Sequence, residues 1–308
     1  MIKIKNILFI NYYENWIKTF KEGALRPITI RKYYMALEWL KRLAPKLRVY
    51  ELTRVEYQRI LNSYADHHER QTTLDFHHQL KAAILDAVEE GYIQCDPTRK
   101  IVIKGRAPVR IKKEKYLNQF ELHLLLTDLE LKPDISWDWL ILLLAKTGMR
   151  YSEALGLTPN DFDFSHQSIN INKTLDYKSN GTFTSTKNKS SIRKIQIDWQ
   201  TVMQFSGLLK NYPPDKPIFL FKKRIFNSTA NDVLERHCRK LDIPIISIHG
   251  LRHTHASLLL FAGVSIASVA RRLGHASMTT TQKIYLHIIN ELENKDIDIV
   301  MRTISALN

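Results

Sequence analysis

The sequence has little cysteine and no long apolar run. Its 308 residues include two cysteines, Cys95 and Cys238, which are too few for a disulfide framework. We interpret them as buried structural thiols in a reducing cytoplasm. No apolar run approaches the roughly 20 residues of a membrane-spanning helix, and no small-residue cleavage site follows the N-terminal apolar patch. The sequence therefore predicts neither a disulfide-rich secreted domain nor a membrane protein.

Acidic residues are scarce relative to basic ones. Lys and Arg total 46 and Asp and Glu total 31, which gives a formal net charge of +15. This balance favours a polyanionic partner, nucleic acid first and an anionic membrane surface second. The length suggests about two domains, and the sequence shows no internal repeat and no low-complexity segment.

Residues 1–103 carry a helical pattern of apolar residues almost throughout. Thr53 and Glu56 have the spacing of a capping box, and Pro45 and Gly91 are placed to end helices. We expect most aromatic side chains here to form the core of a small helical bundle. The predicted helices cover residues 8–20, 30–43, 55–65 and 71–90.

A basic segment, residues 104–115, follows this region and reads as an extended linker. Gly105 and Pro108 break any helix there. Ten extended residues reach roughly 33–36 Å, enough for two domains to sit on opposite sides of a duplex. The alternative is a plain solvated linker, but the density of one charge sign favours DNA contact. The candidate DNA-binding residues are Lys104, Arg106, Arg110 and Lys112.

Residues 249–287 hold the densest group of chemically active side chains. His249 and Arg252 lie three residues apart, so one helix face can present both. Gly274 is placed to end a helix over residues 264–273 and to present His275 from the turn. The threonines at 279–281 are expected to cap the helix that carries Tyr285. Arginine forks bind phosphate oxygens, and tyrosine can act as a covalent nucleophile.

This segment also has alternative interpretations that involve no phosphodiester chemistry. His249, His253 and His255 could be a metal cluster, but no cysteine or acid lies at ligand spacing nearby. His253 is better explained as a packed, hydrogen-bonded core histidine. Tyr285 could be a core tyrosine, and its context with His275 argues against that.

Two upstream segments complete the set. Arg150 follows a break at Gly148 and opens a short helical pattern, and Glu153 either orients Arg150 or is a helix-surface acid. Residues 185–197 alternate like a hairpin with a solvated turn. Lys187 is the first lysine of that segment, with Lys189 close by.

Three motifs in this order resemble the tyrosine recombinase family, also called the phage integrase family. Arg150 lies in TGMRYSEALGL, His249 and Arg252 lie in HGLRHTHAS, and His275 and Tyr285 lie in LGHASMTTTQKIYLH. The resemblance is strong over residues 116–285 and weaker before them. It is closest to integrases of phages and conjugative elements, and it favours Lys187 over its neighbouring lysines as the functional lysine.

The resemblance implies a mostly α fold with a small antiparallel β-sheet. Residues 1–103 would be a helical core-binding domain that grips DNA, residues 104–115 the basic linker, and residues 116–308 a mixed α/β catalytic domain. An apolar C-terminal segment, residues 297–307, would be a helix exchanged with a neighbouring protomer. No arm-binding domain is evident ahead of residue 8, which implies either a short-type recombinase or a piece of a longer protein.

The chemistry that the resemblance implies is DNA strand transesterification without a cofactor or metal. Tyr285 would attack the scissile phosphorus and leave a 3′-phosphotyrosyl bond and a free 5′ hydroxyl. Arg150 and Arg252 would stabilise the transition-state charge, and Lys187 would protonate the leaving oxygen. His249 would act as a base or proton shuttle, and His275 would donate a hydrogen bond to the phosphate.

The implied function is that of an integrase, a site-specific recombinase that integrates or excises a mobile element. Its partners would be double-stranded DNA, three further copies of itself on two DNA sites, and accessory DNA-bending or directionality proteins, in the nucleoid region of a bacterial cytoplasm. Alternatives are a chromosome-dimer-resolving recombinase of the short type, a type IB topoisomerase, and an inactive DNA-binding module. The last is disfavoured because none of the six expected site positions is substituted.

Overall fold

The computed structural model describes residues 6–107, 116–177, 181–186, 188–220 and 226–285. The chain divides into two compact units, residues 1–111 and 112–308. Within the described ranges no helix has both the length and the apolar character needed to cross a bilayer. The expected positions of Lys187, Arg110, Lys112 and the C-terminal helix lie outside the described residues.

The N-terminal unit is a bundle of helices, as its apolar pattern predicts. Thr53 caps the third helix by accepting a hydrogen bond from the backbone N–H of Glu56, which confirms that predicted start. The aromatic side chains form the core, where Tyr64 and Phe76 stack with ring centroids 3.9 Å apart. The helices are α1 (Phe9–Phe20), α2 (Pro27–Leu43), α3 (Arg54–Ala65) and α4 (Arg70–Glu89).

The first part of the expected linker is fixed to this N-terminal bundle. The Gln58 side chain accepts a hydrogen bond from the Val102 backbone at 2.8 Å and donates one to its carbonyl at 2.9 Å. The backbone N–H of Arg106 donates to the carbonyl of His68 at 2.8 Å. Lys104 and Arg106, both exposed, therefore stand on an ordered edge of the bundle. An extended linker remains an expectation for residues 108–115 alone.

The second unit is built around a buried helix. In α6 (Trp137–Thr147) almost every side chain is buried. Residues 278–285 are also helical. The other helices are α5 (Gln119–Asp128), α7 (Tyr151–Leu155), α8 (Trp199–Leu209), α9 (Asn227–Lys240), α10 (Ile248–Phe261) and α11 (Ile266–Leu273).

Two small antiparallel sheets complete this unit, which makes the fold mostly α with minor β structure, as expected. One sheet has the order β1 (Phe162–Asp163), β2 (Ser168–Ile171) and β5 (Arg193–Gln196). The other pairs β3 (Lys173–Leu175) with β4 (Phe183–Ser185).

The predicted hairpin over residues 185–197 is wrong. Ser185 ends β4 opposite Lys173, whereas Arg193 begins β5 opposite Ile171. A 3-10 turn, Lys189–Ser191, separates the two strands. The alternating pattern correctly predicted strands in this segment, but which strands pair depends on partners elsewhere in the chain.

The cysteines differ in their surroundings. Cys238 is buried, as expected, but Cys95 is exposed. The prediction of a buried thiol is therefore wrong for Cys95, because a single cysteine in a loop region carries no periodic signal of burial.

Candidate active site

Arg150 is positioned by a left-handed glycine at the end of α6. Gly148 has φ +65° and ends that helix; a Cβ on it would lie 2.6 Å from the His255 ring. The chain then turns, and Arg150 occupies the N-cap of α7. Its guanidinium donates to Glu153 Oε1 at 2.7 Å and to the carbonyl of Gly274 at 3.0 Å. The side chain is thus tied to two elements and remains about a quarter exposed (24%).

Glu153 is a buried acid between two arginines, not a helix-surface acid. Its side chain is 1% exposed and also accepts from Arg193 at 3.0 Å. Burial alone would raise the pKa of Glu153, but Arg193 and Arg150 hold it below its ordinary value. Arg193 in turn donates to the carbonyl of Arg272 at 2.6 Å. Glu153 therefore orients Arg150, as one of the two sequence interpretations held.

Arg252 is almost fully enclosed, with 3% of its surface exposed. It donates to the carbonyl of Gly148 at 2.8 Å and to that of Leu273 at 2.7 Å. Burial, together with the like charge of Arg150, lowers the pKa of Arg252 to about 9. The group is still cationic at neutral pH. Its two carbonyl partners fix the orientation of its fork.

The two candidate histidines are neutral in this environment. His249 lies in α10 with an exposed side chain, and partial desolvation by the surrounding site, followed by the charges of Arg252 and Arg150, lowers its pKa. His275 follows Gly274, which ends α11 with φ +68° as the sequence predicts. Its Nδ1 pairs with Thr281 Oγ1 at 2.7 Å. Burial and then the arginines lower the pKa of His275 to about 4.

Tyr285 lies inside the unit rather than at its surface. Its side chain is 2% exposed, and its hydroxyl pairs with His253 Nδ1 at 2.9 Å. Burial raises the pKa of Tyr285 to about 12, although Arg252 opposes that shift. The phenol therefore holds its proton at neutral pH.

The helix carrying Tyr285 does not begin as predicted. Ser277 Oγ accepts from the backbone N–H of Thr279 at 3.1 Å, so Ser277 provides the cap. Thr281 is fully buried and bonds His275 instead. The sequence cannot distinguish which threonine of the run caps the helix. In the fold Thr281 is instead the hydrogen-bond partner of His275.

The remaining histidines of this segment divide into two roles. His253 is packed against the His249 ring and hydrogen-bonded to Tyr285, as predicted, but it is only half-buried and so is not a core histidine. His255 fits that description, because Ala145 O lies 2.9 Å from its Nδ1 and Arg272 donates to its Nε2 at 2.8 Å. Burial, with Arg272, lowers the pKa of His255 to about 3. Within the described ranges no three His, Cys, Asp or Glu side chains could hold a metal ion.

The structure thus brings five of the six candidate catalytic residues into one cationic site. Charge interactions link Arg150 and Arg252 to each other and to His249 and His275, and Arg252 to Tyr285. Such a site can bind an anion through two guanidinium forks and neutral imidazoles, with a phenol at hand.

Sequence reasoning missed two members of the surrounding network. Arg193 and Arg272 connect β5, α10 and α11 through backbone carbonyls and through Glu153 and His255. Both are ordinary basic residues in sequence, and only the partners that burial gives them distinguish them from solvated charges. The candidate DNA-binding residues Lys104 and Arg106 belong to the other unit.

Residues 115–291, more than half of the chain, match the phage integrase family. The chain belongs to this family of tyrosine recombinases. The tyrosine recombinase XerC-like protein of Caldanaerobacter subterraneus subsp. tengcongensis is 26% identical over 76% of this chain and 67% of its own length. The integrase of Staphylococcus phage L54a is 30% identical over 49% of this chain and 48% of its own length.

Solved structures share the fold. The integrase of the Tn1549 transposon, in complex with a circular intermediate DNA, aligns with a TM-score of 0.74 at 18% identity, over 90% of this chain and 94% of the other. At that identity the likeness concerns the fold. The chain spans between 42% and 67% of the length of the first curated relatives it matches.

Proposed function

We propose that this protein is a site-specific DNA recombinase that integrates or excises a mobile element. The observation that carries the proposal is the anchoring of both arginine forks on one turn. Arg252 donates to Leu273 and Arg150 to Gly274, and that turn presents His275. Membership of the phage integrase family supports recombination in general. Relatives named as phage integrase and transposon transposase favour the mobile-element role, whereas another relative is named a tyrosine recombinase XerC-like protein.

The proposed reaction is a transesterification in two symmetric steps. The Tyr285 oxygen forms a bond to phosphorus as the bond from phosphorus to the 5′ oxygen breaks, and the phenolic proton passes to a base in the site. Arg150 and Arg252 bind the non-bridging oxygens, where preorganised charge contributes most. Lys187 supplies the proton that the departing 5′ oxygen takes. Religation by another 5′ hydroxyl reverses the sequence, so neither metal nor nucleotide is needed.

The partner is double-stranded DNA, in keeping with the net charge of +15. Four copies act on two DNA sites, with the C-terminal helix reaching a neighbouring protomer and accessory proteins bending DNA or setting direction. The reaction takes place in the nucleoid region of a bacterial cytoplasm. A type IB topoisomerase would perform the same cleavage as a monomer, and joining of two separate duplexes distinguishes a recombinase from it.

The decisive test is covalent capture on a suicide substrate. The protein is incubated in EDTA with a pool of nicked duplexes of random sequence, and DNA that becomes protein-linked is recovered and sequenced. We expect an enriched site and a covalent band that Tyr285→Phe abolishes. Tyr212→Phe, which removes a hydroxyl that donates to the Pro217 carbonyl, is the matched control and keeps the band. Cleavage that persists in Tyr285→Phe would refute the assignment.

The DNA-binding residues have their own test. Lys104 and Arg106 are exposed side chains of the N-terminal unit, and Arg110 and Lys112 follow them. Replacing Lys104 or Arg106 by Ala should reduce the slope of log binding constant against log salt by about 0.9 per lost phosphate contact. The control is Lys132→Ala, at an exposed position beside Glu130. An equal reduction of the salt slope in this variant would contradict a specific DNA-binding role for residues 104–115.

A further inference from the structure

The hydroxyl of Tyr285 has a specific partner to which the family resemblance assigned no role. His253 Nδ1 lies 2.9 Å from that hydroxyl, within the range in which a proton can pass. Among the described residues, neither His249 nor His275 hydrogen-bonds the Tyr285 hydroxyl. His275 Nδ1 pairs with Thr281, and the His249 ring meets His253 edge-on with centroids 5.0 Å apart.

Tyr285 needs such a partner because it is buried and protonated. With 2% of its surface exposed, the phenol has little contact with water that could take its proton. Its pKa is raised to about 12 by burial, so roughly one molecule in 100,000 would carry the phenolate at neutral pH. Attack on phosphorus therefore requires a proton acceptor that is already in contact.

Helical geometry places His253 among the residues of the site. On α10 it follows His249 by one turn and Arg252 by one residue, so a single helix presents all three. The charged and titratable groups around this pair are Arg252, which acts on Tyr285, His275, which interacts with His253, and Tyr116, which packs on the same cluster as Tyr285. The sequence HGLRHTHAS thus carries one more residue that touches a reacting atom.

We propose that His253 Nδ1, in place of His249, accepts the proton of Tyr285 as the phenol attacks the phosphodiester, an inference that rests on the proposed recombinase function. The bond from the Tyr285 oxygen to phosphorus forms, the bond from phosphorus to the 5′ oxygen breaks, and the phenolic proton moves to His253. The 5′ oxygen takes its proton from Lys187. On religation the imidazolium returns its proton to Tyr285.

The first test needs no DNA and reads the tautomer of His253. Acceptance through Nδ1 requires a neutral ring with its hydrogen on Nε2. Nitrogen NMR of isotope-labelled histidine, with the resonance assigned by its loss in His253→Asn, should report that tautomer at neutral pH. Tyr285→Phe should then shift the Nδ1 resonance. A hydrogen on Nδ1 would make His253 a donor to Tyr285 and would overturn the proposal.

The second test separates a hydrogen bond from proton acceptance. The Asn amide reaches the position of Nδ1 and can accept a hydrogen bond, but it cannot take a proton. We expect His253→Asn to slow single-turnover cleavage on the order of 10²–10⁴-fold and to change its pH profile, with unchanged DNA binding. His123→Asn, at an exposed position of the same unit, should cleave as the wild type does.

A substrate with sulfur in place of the 5′ oxygen identifies which proton transfer is lost. Its leaving group departs without protonation, so it should restore Lys187→Ala but not His253→Asn. Near-normal cleavage in His253→Asn would show that the contact is only structural, and faster cleavage would show that His253 stores Tyr285 in an inactive state. Either result overturns the proposal, whereas absence of cleavage by the wild type contradicts the recombinase function instead.

Discussion

The two units of this protein differ in what they bury. The N-terminal unit has an apolar and aromatic core, and the buried polar side chains among its described residues are the neutral Thr73, His77 and Thr98. The second unit encloses Arg252 and Glu153 at 3% and 1% exposure. A buried charge is costly unless it is paired and hydrogen-bonded. The second unit therefore holds its cations in a fixed orientation at a cost in stability.

The cations are held largely by backbone carbonyls at helix ends. Arg252 bonds Gly148 and Leu273, and Arg150 bonds Gly274, all at or just beyond the C-termini of α6 and α11. The last carbonyls of a helix have no partner within it and carry negative partial charge. The arginines therefore satisfy these groups while the helix ends stabilise the arginines.

Removing the buried acid should produce the largest effect. Glu153→Gln leaves Arg150 and Arg193 without their carboxylate, and we expect a loss of about 3–5 kcal/mol of stability in the second unit. Hydrogen exchange of peptides from α6 and α10 measures it unit by unit. The control is Glu38→Gln in the N-terminal unit, which removes an exposed pair with Lys41 that solvent screening leaves with little effect on stability. Equal losses of stability in Glu153→Gln and Glu38→Gln would contradict the proposed difference between the two units.

A methyl group at the end of α6 should have the next largest effect. Gly148→Ala forces alanine into φ +65° and places its Cβ 2.6 Å from His255, at a cost of about 2–4 kcal/mol. Gly23→Ala in the N-terminal unit meets the same backbone problem, at φ +75°, with nothing within 4 Å. It should cost about 1–2 kcal/mol.

The difference between these two glycine variants isolates the packing around the site. Thermal unfolding and single-turnover cleavage of both proteins measure it. Cleavage should fall only in Gly148→Ala, because its carbonyl orients Arg252. Equal melting temperatures and equal cleavage would show that the close approach of His255 to Gly148 is unimportant.

The N-terminal unit should lose stability in mild acid through one buried histidine. His77 is 5% exposed and pairs with the Tyr57 hydroxyl at 2.9 Å. Burial, then His78 and Lys81, lowers its pKa to about 4 from the ordinary 6.5. Since folding favours the neutral ring, this contribution is complete above pH 6.5 and is lost as the pH falls toward 4.

We expect wild type to lose about 1–2 kcal/mol more than His77→Asn between pH 7 and pH 5. Asn keeps an acceptor near the Nδ1 position but does not titrate. Hydrogen exchange of α3 and α4 peptides at the two pH values measures the difference. Parallel losses in the two proteins would assign the acid sensitivity to other groups.

Local signals in the sequence specified most of the secondary structure. Thr53 begins α3 at the predicted cap, and Gly274 ends α11 in the predicted left-handed conformation. Such signals succeed because a cap satisfies backbone groups within a few residues of itself. The failures were the hairpin at 185–197 and the threonine cap, where partners far along the chain decide the outcome.

The sequence by itself determined the family, the two-unit organisation of helices and the identity of the residues that could act on a phosphodiester. Only the tertiary structure decided which of them touch. His253 meets Tyr285 across 32 residues and Arg252 meets Gly148 across 104, contacts that no periodicity encodes. The physical reason is that α6, α10 and α11 must first pack, because burial is what gives these polar groups their partners.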